Sequence, residues 1–193
     1  MNKPELSQSL FRLTLQDFSA LPRFGLKGIN TQAWLKTHNY CIGDESNKAY
    51  PQDDGCLVAR LSPRELLFMC DPEHPVLSVD LDYFTPGRDC YPIRRQDSHY
   101  WFAISGKDGP TMLAKLCGVN FEADLFDNHR VAQTQVARTS TIVQRKDILE
   151  TLCYYLLGDS STSAYMWGCL MDAIQEFGGR VLGTQAIRHG SQF

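Results

Sequence analysis

Between Asp97 and Gly178 the chain spells out one order of elements, and that order most restricts what it can fold into. HYWFAI (99–104) is dense in aromatic and β-branched residues and reads as a strand. Gly106–Pro110 opens a helix with Pro110 in its first turn, an apolar face of Leu113, Leu116 and Cys117, and a stop at Gly118. VAQTQVA and TSTIVQR are two strands that pair around Arg138, and ETLCYYLL is apolar enough to be a central strand. Ser160, Ser161, Thr162 and Ser163 offer N-caps for a final helix. Its stripe is Met166, Trp167, Leu170, Ile174 and Phe177, and Gly178-Gly179 ends it. Strand, helix, strand pair, strand, helix predicts small antiparallel sheets flanked by helices, an α+β class.

The first part of the chain is compatible with the same class. Phe11, Leu13 and Leu15 alternate with Arg12, Thr14 and Gln16, as in a half-buried strand. Asn30 or Thr31 caps a short helix whose apolar face is Ala33, Trp34 and Leu35. Residues 38–55 are polar and turn-rich, a surface connection. CLVARL and LLFMC flank SPRE, where Ser62-x-x-Glu65 fits a capping box and Pro63 equally fits a type I turn. The apolar residues after it are contiguous, and Asp71-Pro72 closes the segment, so 56–61 and 66–70 read as a hairpin. VLSVDL (76–81) is a candidate short strand inside an irregular stretch, 71–98, with Pro72, Pro75, Pro86 and Pro92. The organisation expected is one domain over 1–193, with lobes at about 1–70 and 97–193 joined by the irregular connection 71–96.

Chemistry is sparse. A net charge of −3 and a pI near 5.9 argue against generic nucleic-acid or anionic-membrane binding. Apolar runs such as Leu152–Leu157 are too short to span a bilayer, and MNKPELSQSLF has no apolar h-region, so the expected location is cytoplasmic. Seven cysteines without a CxxC pair suit a reduced compartment. Cys117, Cys153 and Cys169 sit among apolar residues as inert packing, whereas Cys41, Cys56 and Cys90 lie near loops and are expected to be more exposed. His38, His74, His99, His129 and His189 are scattered, without HxH or HExxH spacing for zinc. His99 beside Asp97 and Ser98 invites a catalytic role, yet at a strand edge a solvated or locally bonded imidazole accounts for it as well. Asp53-Asp54-Gly55 is a turn, and Asp80-x-Asp82 lacks the rest of a calcium loop. GGRVLG (178–183) follows a helix instead of joining a strand to one, the wrong geometry for a dinucleotide loop. Arg94-Arg95 is a small basic spot able to pair with a partner's carboxylate. The residues therefore nominate no catalytic, cofactor-binding or metal-ligating site.

Taken together, LPRFGLKG with a following tryptophan, ARLSPRELLFM, HYWFAISG, a helix ending LCG, RVAQTQVA, and SAYMWGCLMDAIQEFGG occur in one order. That series resembles the gamma subunit family of heterotetrameric sarcosine oxidase, related to the aminomethyltransferase (glycine-cleavage T-protein) folate-binding fold. The resemblance covers roughly 20–70 and 97–179. It implies a folate-binding aminomethyltransferase-like fold and a noncatalytic subunit that packs against an alpha subunit, alongside beta and delta subunits. It also implies a complex that oxidatively demethylates sarcosine or a related N-methyl amine and feeds one-carbon units to tetrahydrofolate. FAD, FMN, NAD and tetrahydrofolate are then held by partner subunits, with none bound by this chain, and zinc by another chain. The stretch 71–96 is longer than the usual family connection, and seven cysteines are unusual. An isolated subunit of this kind is expected to show an apolar patch, with Trp34, Tyr100 or Tyr165 as candidates. The alternative is a free-standing tetrahydrofolate-binding, aminomethyltransferase-like protein, which needs an aromatic platform for the pterin and a carboxylate, for which Asp97, Asp108 and Glu122 are candidates.

Overall fold

The computed structural model describes residues 12–73, 89–148 and 150–183. Its strands are β1 (Thr14–Asp17), β2 (Arg23–Lys27), β3 (Lys48–Pro51), β4 (Leu57–Ser62), β5 (Glu65–Met69), β6 (Tyr91–Ile93), β7 (His99–Ser105), β8 (Val131–Val136), β9 (Thr139–Arg145), β10 (Cys153–Asp159) and β11 (Arg180–Leu182). The helices are α1 (Thr31–Thr37), α2 (Arg95–Ser98), α3 (Gly109–Leu113) and α4 (Ser163–Glu176), the last entered through a 3₁₀ turn at Ser160–Thr162. Two sheets result. One runs β11-β1-β7-β10-β9-β8 and the other β3-β4-β5-β2-β6. All pairings are antiparallel except β1 with β11. None of the described helices is long and apolar enough to cross a membrane.

Side-chain alternation explains why the sheets stack. On β7, Trp101 and Ala103 point into the space between the sheets, while Tyr100, Phe102 and Ile104 point the other way. On β10, Cys153, Tyr155 and Leu157 face inward and Tyr154 and Leu156 outward. The second sheet answers with Leu57, Ala59 and Leu61 of β4 and Leu67 and Met69 of β5. These strands are therefore apolar on both faces, because both faces are covered. α4 lays Met166, Leu170, Ala173 and Ile174 over the outer face of the first sheet, with Leu113 of α3 beside them. α1 covers the outer face of the second with Trp34 and Leu35 against Phe24 and Phe68. The order of layers is helix, sheet, sheet, helix. Trp101, fully buried between them, meets Phe18 and Tyr155 edge-on at 5.5 and 5.1 Å.

Most expected elements are present, with several corrections. The 57–69 segment is a hairpin, with Pro63-Arg64 at its turn. The strand pair around Arg138 forms, and β10 is interior to its sheet. α3 stops at Leu113, short of the expected Gly118, and continues as turns. On α1 it is Thr31, with Trp34 and Leu35, that is buried, while Ala33 is exposed. Asn30 occupies the N-cap position, though its side chain does not cap the helix. The Ser160–Ser163 hydroxyls do not cap α4 either. Asp159 accepts from the Ser161 amide at 2.8 Å and so nucleates the 3₁₀ turn that precedes it. Gly178 (φ 64°) and Gly179 close α4, their amides donating to Gln175 and Ile174 carbonyls, a Schellman arrangement. The chain then turns directly into β11. The possible strand at 76–81 lies outside the described residues, as do His74, His189, Asp80 and Asp82.

Candidate functional site

A cleft of about 880 Å³ opens where the β8–β9 hairpin runs past the end of the second sheet. Glu65, Arg95 and His99 form its polar floor, and Gln133, Thr134 and Arg138 line the hairpin side. Three elements meet there: β5 begins with Glu65, the single turn α2 carries Arg95, and β7 begins with His99. Arg95 is 8% exposed and donates to Glu65 Oε1 at 2.5 Å and to His99 Nε2 at 2.6 Å. Glu65 Oε2 also faces Lys27 Nζ at 3.3 Å. Since an arginine has only donors, His99 Nε2 must accept. Its proton therefore sits on Nδ1 and goes to Ser98 Oγ at 2.8 Å, and that hydroxyl donates to the Arg94 carbonyl at 3.0 Å.

Electrostatics agree with this assignment. Burial, reinforced by Arg95, brings the His99 imidazole down to about 4 from its ordinary 6.5. Burial likewise lowers Arg95, with Glu65 opposing. Behind them Arg23 is 2% exposed and donates to the carbonyls of Ser19, Leu21, Gln96 and His99, and burial lowers it to about 10. His99 is thus neutral, with both ring nitrogens committed to neighbours. A general base needs a free lone pair directed at substrate. The arrangement acts as a clasp between β5, α2 and β7.

A second cleft, about 520 Å³, lies beneath the start of α4. Tyr100, Phe102 and Trp167 form an aromatic wall there, with Asp17 and Arg23 beside it. Tyr100 stacks on Phe102 at 4.6 Å, and Phe102 meets Trp167 edge-on at 5.0 Å. Asp17 is engaged by the Ser19 amide at 2.8 Å.

The remaining sequence candidates fall as follows. Asp97 is exposed on α2, Asp108 precedes α3 and pairs with Arg12 at 2.9 Å, and Glu122 is exposed; none of the three lines either cleft. The expected basic spot splits in two, because Arg94 is exposed whereas Arg95 is buried against Glu65 inside the chain. Cys56 and Cys90 are each 1% exposed, contrary to the expectation from their loop-like surroundings, because both side chains turn into the core over α1. Cys41 alone among the described cysteines is exposed, while Cys169 is intermediate instead of fully packed. Burial pushes the Cys56, Cys70 and Cys153 thiols up to about 12, which works against thiolate chemistry. His38 stacks on Trp34 at 3.9 Å, and burial lowers His129. Asp53-Asp54 forms the anticipated turn, closed by Cys56 donating to Asp54 at 2.9 Å. No group of three or more metal-ligating side chains gathers among the described residues. Of the proposed patch residues, Trp34 and Tyr100 are buried and Tyr165 is 53% exposed. Sequence reasoning missed Arg23 and Glu65; an arginine opening the otherwise apolar run RFGL was the available signal.

Comparison with known proteins finds likeness in structure only. No protein-family model matches the sequence, and no curated protein does. Among solved structures, the chain is similar to one from heterotetrameric sarcosine oxidase of Corynebacterium sp. U-96, a complex with pyrrole 2-carboxylate. The TM-score is 0.71 at 17% identity, covering 88% of each chain. It is also similar to glycine cleavage system aminomethyltransferase T from Bartonella henselae, with a TM-score of 0.61 at 11% identity. That match covers 92% of this chain and 50% of the other. At these identities the likeness establishes a shared mixed α/β fold of antiparallel-rich sheets with flanking helices.

Proposed function

We propose that the chain is a noncatalytic, gamma-type subunit of a sarcosine oxidase-like, flavin-dependent assembly acting on sarcosine or a related N-methyl amine. The observation that carries this reading is the reciprocal 88% coverage with a chain of a heterotetrameric enzyme. The same fold in aminomethyltransferase T fills half of a longer chain. The main cleft supports the same view. The one ring in its lining is the His99 imidazole, and its acid, Glu65, has one oxygen on Arg95 and the other towards Lys27. That lining does not fit a pterin, which calls for a flat aromatic platform and an available carboxylate. In this reading FAD, FMN, NAD and tetrahydrofolate belong to the alpha, beta and delta partners, and the complex is cytoplasmic.

The experiment is co-expression with flavin-binding subunits of the sarcosine oxidase type, followed by calorimetry of the lone chain with tetrahydrofolate. A stoichiometric flavin-bearing complex and a folate-silent lone chain are expected. Heat of binding that disappears in Trp167→Leu would favour the transferase alternative, with the second cleft as its site.

A further inference from the structure

Four strands end the two sheets, and three of them are blunted. β6 is three residues long and contains Pro92, β3 is four residues between Lys48 and Pro51, and β11 is three residues opening with Arg180. Short, charged or proline-bearing edges resist pairing with foreign strands. β8 has none of these features. It is six residues, VAQTQV, without charge, proline or glycine. Its first end is taken by β3: Lys48 bridges Arg130, the Ala49 amide donates to the His129 carbonyl at 2.7 Å, and the Val131 amide donates to the Asn47 carbonyl at 2.9 Å, away from β9. The open main chain therefore begins at Gln133, while the Arg130 side chain stays exposed. By the alternation of an antiparallel ladder, the backbone groups of Gln133 and Gln135 also face outward. Beyond Val131 they face the 880 Å³ cleft, which Gln133 and Gln135 line.

Charge at the two ends of this edge identifies what it can accept. Arg130 and Arg138 flank β8, both are exposed, and neither has a carboxylate within ion-pair distance among the described residues. Glu45, whose field reaches Arg130, is itself held by Lys48 at 2.8 Å. A second copy pairing antiparallel about Thr134 would set Arg130 against Arg138 at both ends, and like charges directly opposite are destabilising. We infer that β8 is a strand-addition dock for an extended segment of a partner polypeptide carrying an acidic residue at each end of the paired stretch. Main-chain bonds to Gln133 and Gln135 supply the pairing, and the arginines set register. The inference rests on the assembly reading only in supplying a partner for this edge.

Hydrogen exchange compares the lone chain with the co-expressed complex. Slowed exchange at the Gln133 and Gln135 amides is expected in the complex. A complex that forms while both amides exchange as in the free chain overturns the dock and leaves the assembly reading standing. Where no complex forms, that reading fails and the dock is judged on a probe. A nine-residue peptide of alternating threonine and valine with glutamate at both ends is titrated into the labelled full chain. It should shift the Gln133 and Gln135 resonances, and its lysine-ended counterpart should bind roughly tenfold more weakly. Gln135→Pro removes an outward amide while sparing the bonds to β9, and should weaken the glutamate peptide by about tenfold. No shift at β8, equal affinity of the two peptides, or concentration-dependent dimerisation through the same amides would each reject the proposal.

Discussion

The His99 clasp makes one residue answerable for part of the acid response. Its folded value near 4 lies below the ordinary 6.5, so the unfolded chain takes up the proton first as pH falls. The stability it contributes is complete above pH 6.5 and is lost progressively down to about 4. His99→Gln keeps an acceptor for Arg95 but cannot titrate. Melting temperatures of the variant, followed from pH 7 to 4, should fall less steeply than those of the parent; parallel profiles would show that the imidazole is not the group responsible. Glycine provides a contrast at the same scale. Gly168 sits in the middle of α4 with nothing within 4 Å of where a side chain would begin. Gly168→Ala should stabilise by about 0.5–1 kcal/mol in urea unfolding. Gly179→Ala should do the reverse by roughly 1–3 kcal/mol, since its added carbon meets Ile174 and comes to 3.0 Å from the Leu13 carbonyl.

Among elements, the β8–β9 hairpin is built against its own local preference. Ala137 and Arg138, the two turn residues, both have positive φ, 47° and 65°. A two-residue hairpin turn favours this backbone, though asparagine and glycine adopt it at less cost. Arg138→Gly should therefore stabilise the hairpin by about 1 kcal/mol in thermal unfolding while weakening capture of the glutamate peptide. A loss of both stability and binding would mean that Arg138 holds the turn through contacts of its own. This hairpin, like β4–β5, was legible from the sequence, because alternation and a short break are local signals. β11 was not. RVL follows a glycine pair and has no pattern of its own; what makes it a strand is β1, about 165 positions earlier, a partner no window of sequence contains. The clasp was hidden for the same reason, since Arg95 is defined by Glu65 thirty positions away. The exposure of Cys56 and Cys90 was misjudged because turn-rich neighbours describe the backbone path, not the direction of a side chain. The N-cap of α4 falls on Thr162, one of the four hydroxyl residues expected there, but its side chain makes no capping bond; the aspartate before them caps the 3₁₀ turn that leads into the helix.

Across the whole molecule, the weight of the fold rests on the layer between the sheets. Trp101 is its largest fully buried side chain, and Trp101→Ala should cost about 3–5 kcal/mol, read as a lower urea midpoint. An unchanged midpoint would mean the two sheets are held by their rims. The strand order has a further consequence for how the protein is made. β1 lies between β11 and β7, so the earliest described strand has neighbours from the middle and from the far end of the chain. During synthesis its β11 side stays open until Arg180–Leu182 clears the ribosome, on the order of ten seconds or more after Asp17 at ordinary elongation rates. Until then that flank is a bare template on the nascent chain, and stalling or premature termination shortly before Arg180 would release a product with an unprotected edge on the sheet it had nearly finished.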